Sequence, residues 1–297
     1  LYLFLCCLLF RLLLALCIGI GVPTTTHAQT PEEEHDLWVE VDPEFTLYVY
    51  LPDGRLTIAL SPDLAQNHVR RIKSLAREGY YDGFPFIRVE PGFVSQAGDP
   101  AEFSEVGGER RPFTSVAATV DAEFDEPLTG DMEFAPLREP DEFGEQQGYL
   151  NGFPAIRSLP EKRIWLAGCQ LTVVMPRDDP DSGTTGIAIA QRPNLENDRA
   201  QTVFGRVIDG EEHALLMPAA TPGDSSTWTV IDSVRVAADL PASRRTPYRM
   251  TDTSSEEFPA LLDLLRNHPD PWFLGKPVRL EMCNLCITVF DCTNRTR

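Results

Sequence analysis

Gly79-Tyr80-Tyr81-Asp82-Gly83-Phe84-Pro85-Phe86-Ile87-Arg88-Val89-Glu90-Pro91-Gly92-Phe93-Val94-Ser95-Gln96-Ala97-Gly98-Asp99-Pro100 is the stretch that decides the fold. Two runs with strand chemistry, 84–90 and 93–98, flank Pro91-Gly92, a pair that favours a turn. Within nine residues, Arg88, Phe93 and Gln96 supply a guanidinium, an aromatic ring and an amide. Such residues are common on strands, so composition alone assigns them structure rather than chemistry.

Upstream, apolar residues at Tyr48, Tyr50, Leu51, Leu56, Ile58 and Leu60 surround Pro52-Asp53-Gly54, the pattern of a hairpin with a tight turn. Leu64, His68, Val69, Ile72, Leu75 and Ala76 then recur at helical spacing, while Arg70, Arg71, Lys73 and Arg77 are expected to face water. Ser61 can cap that helix with Pro62 at its first position, and Gly79 can stop it. His68 reads as a packed histidine, because no second ligand type stands one turn away.

Downstream, 99–162 is rich in Pro, Gly, Glu and Phe and shows little periodicity. Strand patterns resume at 164–175, 186–190, 202–208 and 227–236. Many short strands with one clear helix predict a mainly β chain, built as an antiparallel barrel or sandwich. Beyond Leu240, Ser254-Ser255-Glu256-Glu257 matches a capping box ahead of Phe258, Leu261, Leu262 and Leu265, and 278–290 alternates like a strand.

The 297 residues are 42% hydrophobic and 24% charged, as in globular proteins. Lys+Arg 26 against Asp+Glu 45 gives a formal charge of -19, which argues against nucleic-acid and anionic-membrane partners. Residues 1–22 are apolar apart from Arg11, and Thr26-His27-Ala28 resembles a leader-peptidase site. Residues 1–28 are therefore expected to be a signal peptide, with an uncleaved anchor as the alternative. Processing would place the chain in the periplasm or outside the cell and leave Cys169, Cys283, Cys286 and Cys292. Four cysteines admit three pairings, of which Cys169 with Cys283 would staple the tail to the barrel.

The opening stretch resembles the cyclophilin pattern G-[FY]-Y-D-G-x-x-F-H-R-V-I-P-G-F-[MV]-x-Q-G-G-D-P, departing at Ile87, Glu90 and Ala97. Thr202-Val203-Phe204-Gly205-Arg206-Val207-Ile208-Asp209-Gly210 resembles a second block of that family, T-V-F-G-[KR]-V-[VI]-x-G. The resemblance spans 37–237 with 99–162 as an insertion, and looks like a divergent exported bacterial branch. It implies a closed antiparallel cyclophilin-like barrel capped by helices, with 241–297 as a helix-strand extension packed on it. It also implies peptidyl-prolyl cis-trans isomerisation of proline-containing unfolded or loop-exposed polypeptides, by a monomer that needs no cofactor and no metal.

Rotation about X-Pro crosses about 18–20 kcal/mol because amide resonance is broken. The chemistry needs an apolar seat for the ring, donors for the flanking backbone and a cation toward the twisted imide. By resemblance Arg88 is that cation, Phe93 the pocket floor and Gln96 the partner of the substrate backbone, with Val94 as apolar lining. Met175 stands at the usual strand end. The other wall departs from the family: Ala188 replaces a pocket phenylalanine, Glu196 falls near a tryptophan position and Gln201 at a histidine position. Losing the ring removes about 1.5–3 kcal/mol of apolar burial, so weaker substrate holding and poor binding of the family's cyclic peptide drug are expected. A cyclophilin-like binding module with little turnover is the alternative function.

Two further patterns are weaker. Cys283-Asn284-Leu285-Cys286 has C-x-x-C spacing, but its flanks alternate like a strand, and zinc would need ligands such as His268 and Cys292. Asp178-Asp179-Pro180-Asp181-Ser182-Gly183 fails the calcium-loop register and reads as a solvated loop. No G-x-S-x-G occurs, which leaves hydrolase chemistry little support.

Overall fold

The structure is a computed structural model describing residues 37–267, 275, 277–285 and 289–291. The leader expected at 1–28, and Cys286, Cys292 and His268, lie outside the described residues. Among those residues no helix is long and apolar enough to cross a membrane.

The chain begins with β1 (Trp38–Glu40), β2 (Thr46–Leu51) and β3 (Gly54–Leu60), then helix α1 (Gln66–Arg77), β4 (Pro85–Glu90) and β5 (Val94–Ala97). Residues 99–166 contain β6 (Glu126–Pro127), β7 (Phe134–Pro136), β8 (Glu145–Leu150), β9 (Phe153–Ser158) and β10 (Arg163–Leu166). Then follow β11 (Thr172–Val174), β12 (Ile187–Ala190), β13 (Val203–Asp209), α2 (Glu211–Leu215), β14 (Thr229–Val230) and β15 (Ser233–Val236). The tail holds β16 (Tyr248–Thr251), α3 (Phe258–Arg266) and β17 (Val289–Asp291).

Nine strands form one antiparallel sheet in the order β14-β4-β5-β12-β11-β13-β3-β2-β15. Its two ends are consecutive in the chain. Thr229 and Val230 pair with Phe86 and Pro85, and two residues later Asp232 N–H donates to Tyr50 C=O at 2.9 Å. The segment 229–236 thereby joins the ends and curls the sheet into a barrel. Leu47, Val49, Leu56, Ile58, Phe86 and Phe204 fill its interior, and Val69, Ile72 and Leu75 of α1 pack against them.

The outer face of β2 and β3 is buried too, which is why these strands read as near-continuous apolar runs. Residues 99–162 are not a structureless loop: with β10 they supply a second sheet, ordered β6-β10-β9-β8-β7. Phe134, Leu150, Phe153 and Ile164 of that sheet meet Tyr48, Ala59 and Tyr248 on the barrel side. Its opposite face, through Tyr149, Ile156 and Trp165, receives Phe258, Leu262 and Met282 of the tail. The inserted sheet is thus the middle layer, while β16 pairs with β1 and β17.

Several local expectations need correction. Helix α1 starts at Gln66, not Pro62, because Ala65 is left-handed (φ 57°) and Ser61 Oγ instead accepts the Leu64 N–H at 3.1 Å. Its open N-terminus is capped from the insertion, by Glu123 accepting the Asn67 and His68 N–H groups at 2.9 and 3.0 Å. The run 164–175 is two strands in different sheets, broken at Leu171, whose φ is 68°. Finally, α3 starts at Phe258 with no side-chain cap; Ser254 and Ser255 serve the preceding turns instead.

Cys169 and Cys283 form a disulfide closing a separation of 114 residues. A loop that long restricts the unfolded chain strongly, so Cys169→Ser with Cys283→Ser should cost about 2–5 kcal/mol. Urea unfolding under non-reducing conditions checks this; an unchanged midpoint would contradict it.

Candidate active site

The hairpin of β4 and β5 builds one wall of an open groove of 690 Å³. Antiparallel register sets Arg88 opposite Gln96, with Ala188 of β12 on the far side of Gln96. A register shift between Phe86 and Arg88 breaks the strand alternation, so that Arg88 and Glu90 reach the groove while Phe86 stays in the core. Between the strands, Gly92 takes φ 77°, a conformation that favours glycine, and the Phe93 N–H bonds back to Glu90 C=O at 2.9 Å.

A buried glutamine that the sequence pattern does not single out, Gln191, fixes this turn. Gln191 Oε1 accepts the Gly92 N–H at 2.7 Å, while its Nε2 donates to Ser95 Oγ (2.7 Å) and Ala214 C=O (2.9 Å). Phe93 is thereby held in place, with the guanidinium carbons of Arg88 and Arg192 at 5.7 and 5.5 Å from its ring centre.

Arg88 is clamped on two sides. Its Nε and Nη2 donate to Glu90 Oε1 at 2.8 and 2.6 Å, and its Nη1 to Gln96 Oε1 at 3.3 Å. Three of the five N–H groups of the guanidinium are engaged in this way, so the remainder can meet a substrate oxygen. The side chain is 36% exposed, open to the groove. The Gln96 amide nitrogen is a further donor beside it.

The other predicted residues divide. Arg88, Phe93, Val94, Gln96, Ala188 and Gln201 all line the groove. Met175 does not: strand alternation turns it into the barrel core with Val173, and its neighbours Val174 and Pro176 face the groove. Glu196 also lies outside, on a short 3-10 turn where it pairs with Arg192 at 3.0 Å. Asn197 and Asp198 line the wall instead. A lone count along the chain could not place them, because the loop follows its own hydrogen bonds.

That loop is anchored by the insertion. Arg199 donates to Asp125 at 2.7 Å, and Asp125 also pairs with Arg163. Asp198 Oδ1 accepts the Gly168 N–H at 2.8 Å and Oδ2 accepts from Trp165 Nε1 at 3.4 Å. Burial nonetheless pushes the Asp198 carboxyl up to about 6, against the lowering effect of those two bonds. The folded value lies above the ordinary 3.8, so the folded chain holds this proton more tightly and stability falls as pH rises between them. Asp198→Asn keeps an acceptor for Gly168, and should gain about 2 kcal/mol near neutrality while flattening that slope. Urea unfolding at about pH 5 and about pH 7.5 checks this, and a variant with the parent's slope would contradict it.

Among the described residues no group of three or more His, Cys, Asp or Glu side chains could hold a metal ion. The 178–183 loop closes on itself: Ser182 Oγ accepts the Asp178 and Asp179 N–H groups, and Asp181 caps Ala122. The groove presents a cation, a ring and an amide at Arg88, Phe93 and Gln96.

Comparison with known proteins fits that chemistry. The family model for cyclophilin type peptidyl-prolyl cis-trans isomerase/CLD matches residues 46–236. A probable peptidyl-prolyl cis-trans isomerase of Brucella suis is 53% identical over 58 residues, 20% of this chain and 30% of that protein. The match thus spans under a third of that relative's length. Peptidyl-prolyl cis-trans isomerase B of Bacillus subtilis is 36% identical over 117 residues, 36% of this chain and 77% of that protein. The crystal structure of the cyclophilin AquaCyp293 from Hirschia baltica superposes with a TM-score of 0.71 at 25% identity, over 90% of this chain and 99% of that one. Fold, groove and matched residues together establish that the chain belongs to the cyclophilin-type peptidyl-prolyl cis-trans isomerase family.

Proposed function

We propose that this chain catalyses cis/trans exchange at X-Pro bonds of exported polypeptides in unfolded or loop-exposed segments. The observation that carries the reading is the placement of Arg88: a clamped guanidinium with unspent donors, beside the Phe93 ring and the Gln96 amide, in a groove open to solvent. The proline ring would sit on Phe93 while Gln96 and Arg88 engage the flanking backbone. As the bond twists, resonance is lost and the lone pair returns to the imide nitrogen, where the nearby cation stabilises it. Relatives named as peptidyl-prolyl cis-trans isomerases support this reading.

Export is supported by the apolar 1–22 segment and by the Cys169–Cys283 bond, which persists in oxidising compartments. Ala188 and Gln201 favour the second reading, a binding module with little turnover, because the wall facing Phe93 carries no ring at either position. Exchange spectroscopy on a short Ala-Pro peptide separates the two. Catalysis predicts exchange faster than the spontaneous rate at substoichiometric protein. Binding shifts without faster exchange would leave the module reading.

A further inference from the structure

Glu90 stands where the family pattern carries an isoleucine, and the structure puts its carboxylate directly against Arg88. The geometry points to Glu90 as a specificity-determining residue that selects proline segments flanked by a cationic side chain and disfavours those flanked by Asp or Glu. The inference deepens the isomerase reading and rests on it.

One oxygen of Glu90, Oε1, takes both bonds from Arg88. The side chain is 53% exposed, and among the described residues no hydrogen bond reaches Oε2. Half-exposed pairs of this kind contribute little to stability. Their effect is on the local field. An isoleucine here would leave Arg88 as an unopposed cation that attracts acidic flanking residues; the carboxylate cancels that attraction and offers an acceptor to a Lys or Arg.

The rest of the lining points the same way. Glu102, Glu105, Asp178 and Asp198 line the groove with Glu90, against the cations Arg88, Arg110 and Arg177. Arg177 is directed elsewhere, donating to Ala200 C=O at 2.9 Å and lying over the Phe124 ring. The chain's formal charge of -19 adds a long-range field of the same sign.

Peptides that differ only in Lys, Ala or Glu beside the proline, varied at each flank in turn, test this. Exchange rates are compared for the parent, Glu90→Gln and Glu90→Ile, each normalised to its own Ala peptide. The parent should favour Lys over Glu about fivefold at one flank in low salt, with the preference shrinking at about 0.5 M salt. Either substitution should bring the ratio close to one or reverse it. Equal ratios in parent and variants would overturn the assignment of Glu90. Absence of faster exchange with every peptide would instead overturn the isomerase reading beneath it.

Discussion

Arg88→Ala should lower kcat/KM for X-Pro exchange about 10²–10³-fold, the loss expected when one preorganised donor to the transition state is removed. The side chain sits at the surface of the groove and is fixed by Glu90 and Gln96, so its removal leaves no buried group unpaired. Far-UV circular dichroism and the unfolding midpoint should therefore stay near those of the parent. Arg88→Lys keeps a charge but not the fork that meets Glu90 and Gln96 at once, and should recover only a minor part of the rate. A rise in KM with kcat unchanged would place Arg88 in ground-state binding instead. Proline-peptide exchange rates with titrated substrate separate these outcomes.

The largest stability effect is expected elsewhere, at Arg71. Helical spacing puts this residue with the solvent-facing cations, yet it is only 3% exposed. Its guanidinium donates to Ala117 C=O at 2.8 Å, Ala118 C=O at 2.9 Å and Thr119 C=O at 3.3 Å, and also to Thr184 C=O. It lies 5.5 Å from the Phe113 ring centre. Burial pulls its basicity down, partly offset by the Glu102 carboxylate. One side chain thus ties α1 to the insertion and to the 184–186 edge of the groove. Arg71→Ala strands those carbonyls and removes the packed stem, at a cost of about 3–5 kcal/mol. Urea unfolding should show a lower midpoint with an unchanged slope. A loss below about 1 kcal/mol would mean that water replaces the guanidinium at these carbonyls.

Arg71 also shows where reading the sequence reaches its limit. The wall of Arg88, Phe93 and Gln96 was legible because it is one contiguous hairpin whose register follows from Pro91-Gly92 and period two. The opposite wall is positioned by residues far along the chain: Asp125 holding Arg199, and Trp165 and Gly168 holding Asp198. The family pattern assigns Ala188 and Gln201 correctly to the groove but assigns Glu196 there too, where the chain turns and presents Asn197 and Asp198. Met175 was misplaced by one step of the strand alternation, which exchanges core for groove.

The inserted sheet was invisible for a different reason. Both its faces are buried, one on the barrel and one under the tail, so its strands lack the polar alternation that marks a half-buried strand. The Cys169–Cys283 bond was one of three open pairings in the sequence; only the path of the tail across the inserted sheet brings those two together.

In the proposed mechanism the X-Pro bond rotates between Phe93 and Arg88. A crystal structure of the protein with a bound Ala-Pro peptide tests it most directly. The proline ring should lie against Phe93, with a backbone oxygen of the peptide about 3 Å from the Arg88 guanidinium and Gln96 bonded to the flanking backbone. A peptide seated elsewhere, or one whose backbone leaves Arg88 paired only with Glu90 and Gln96, would contradict it.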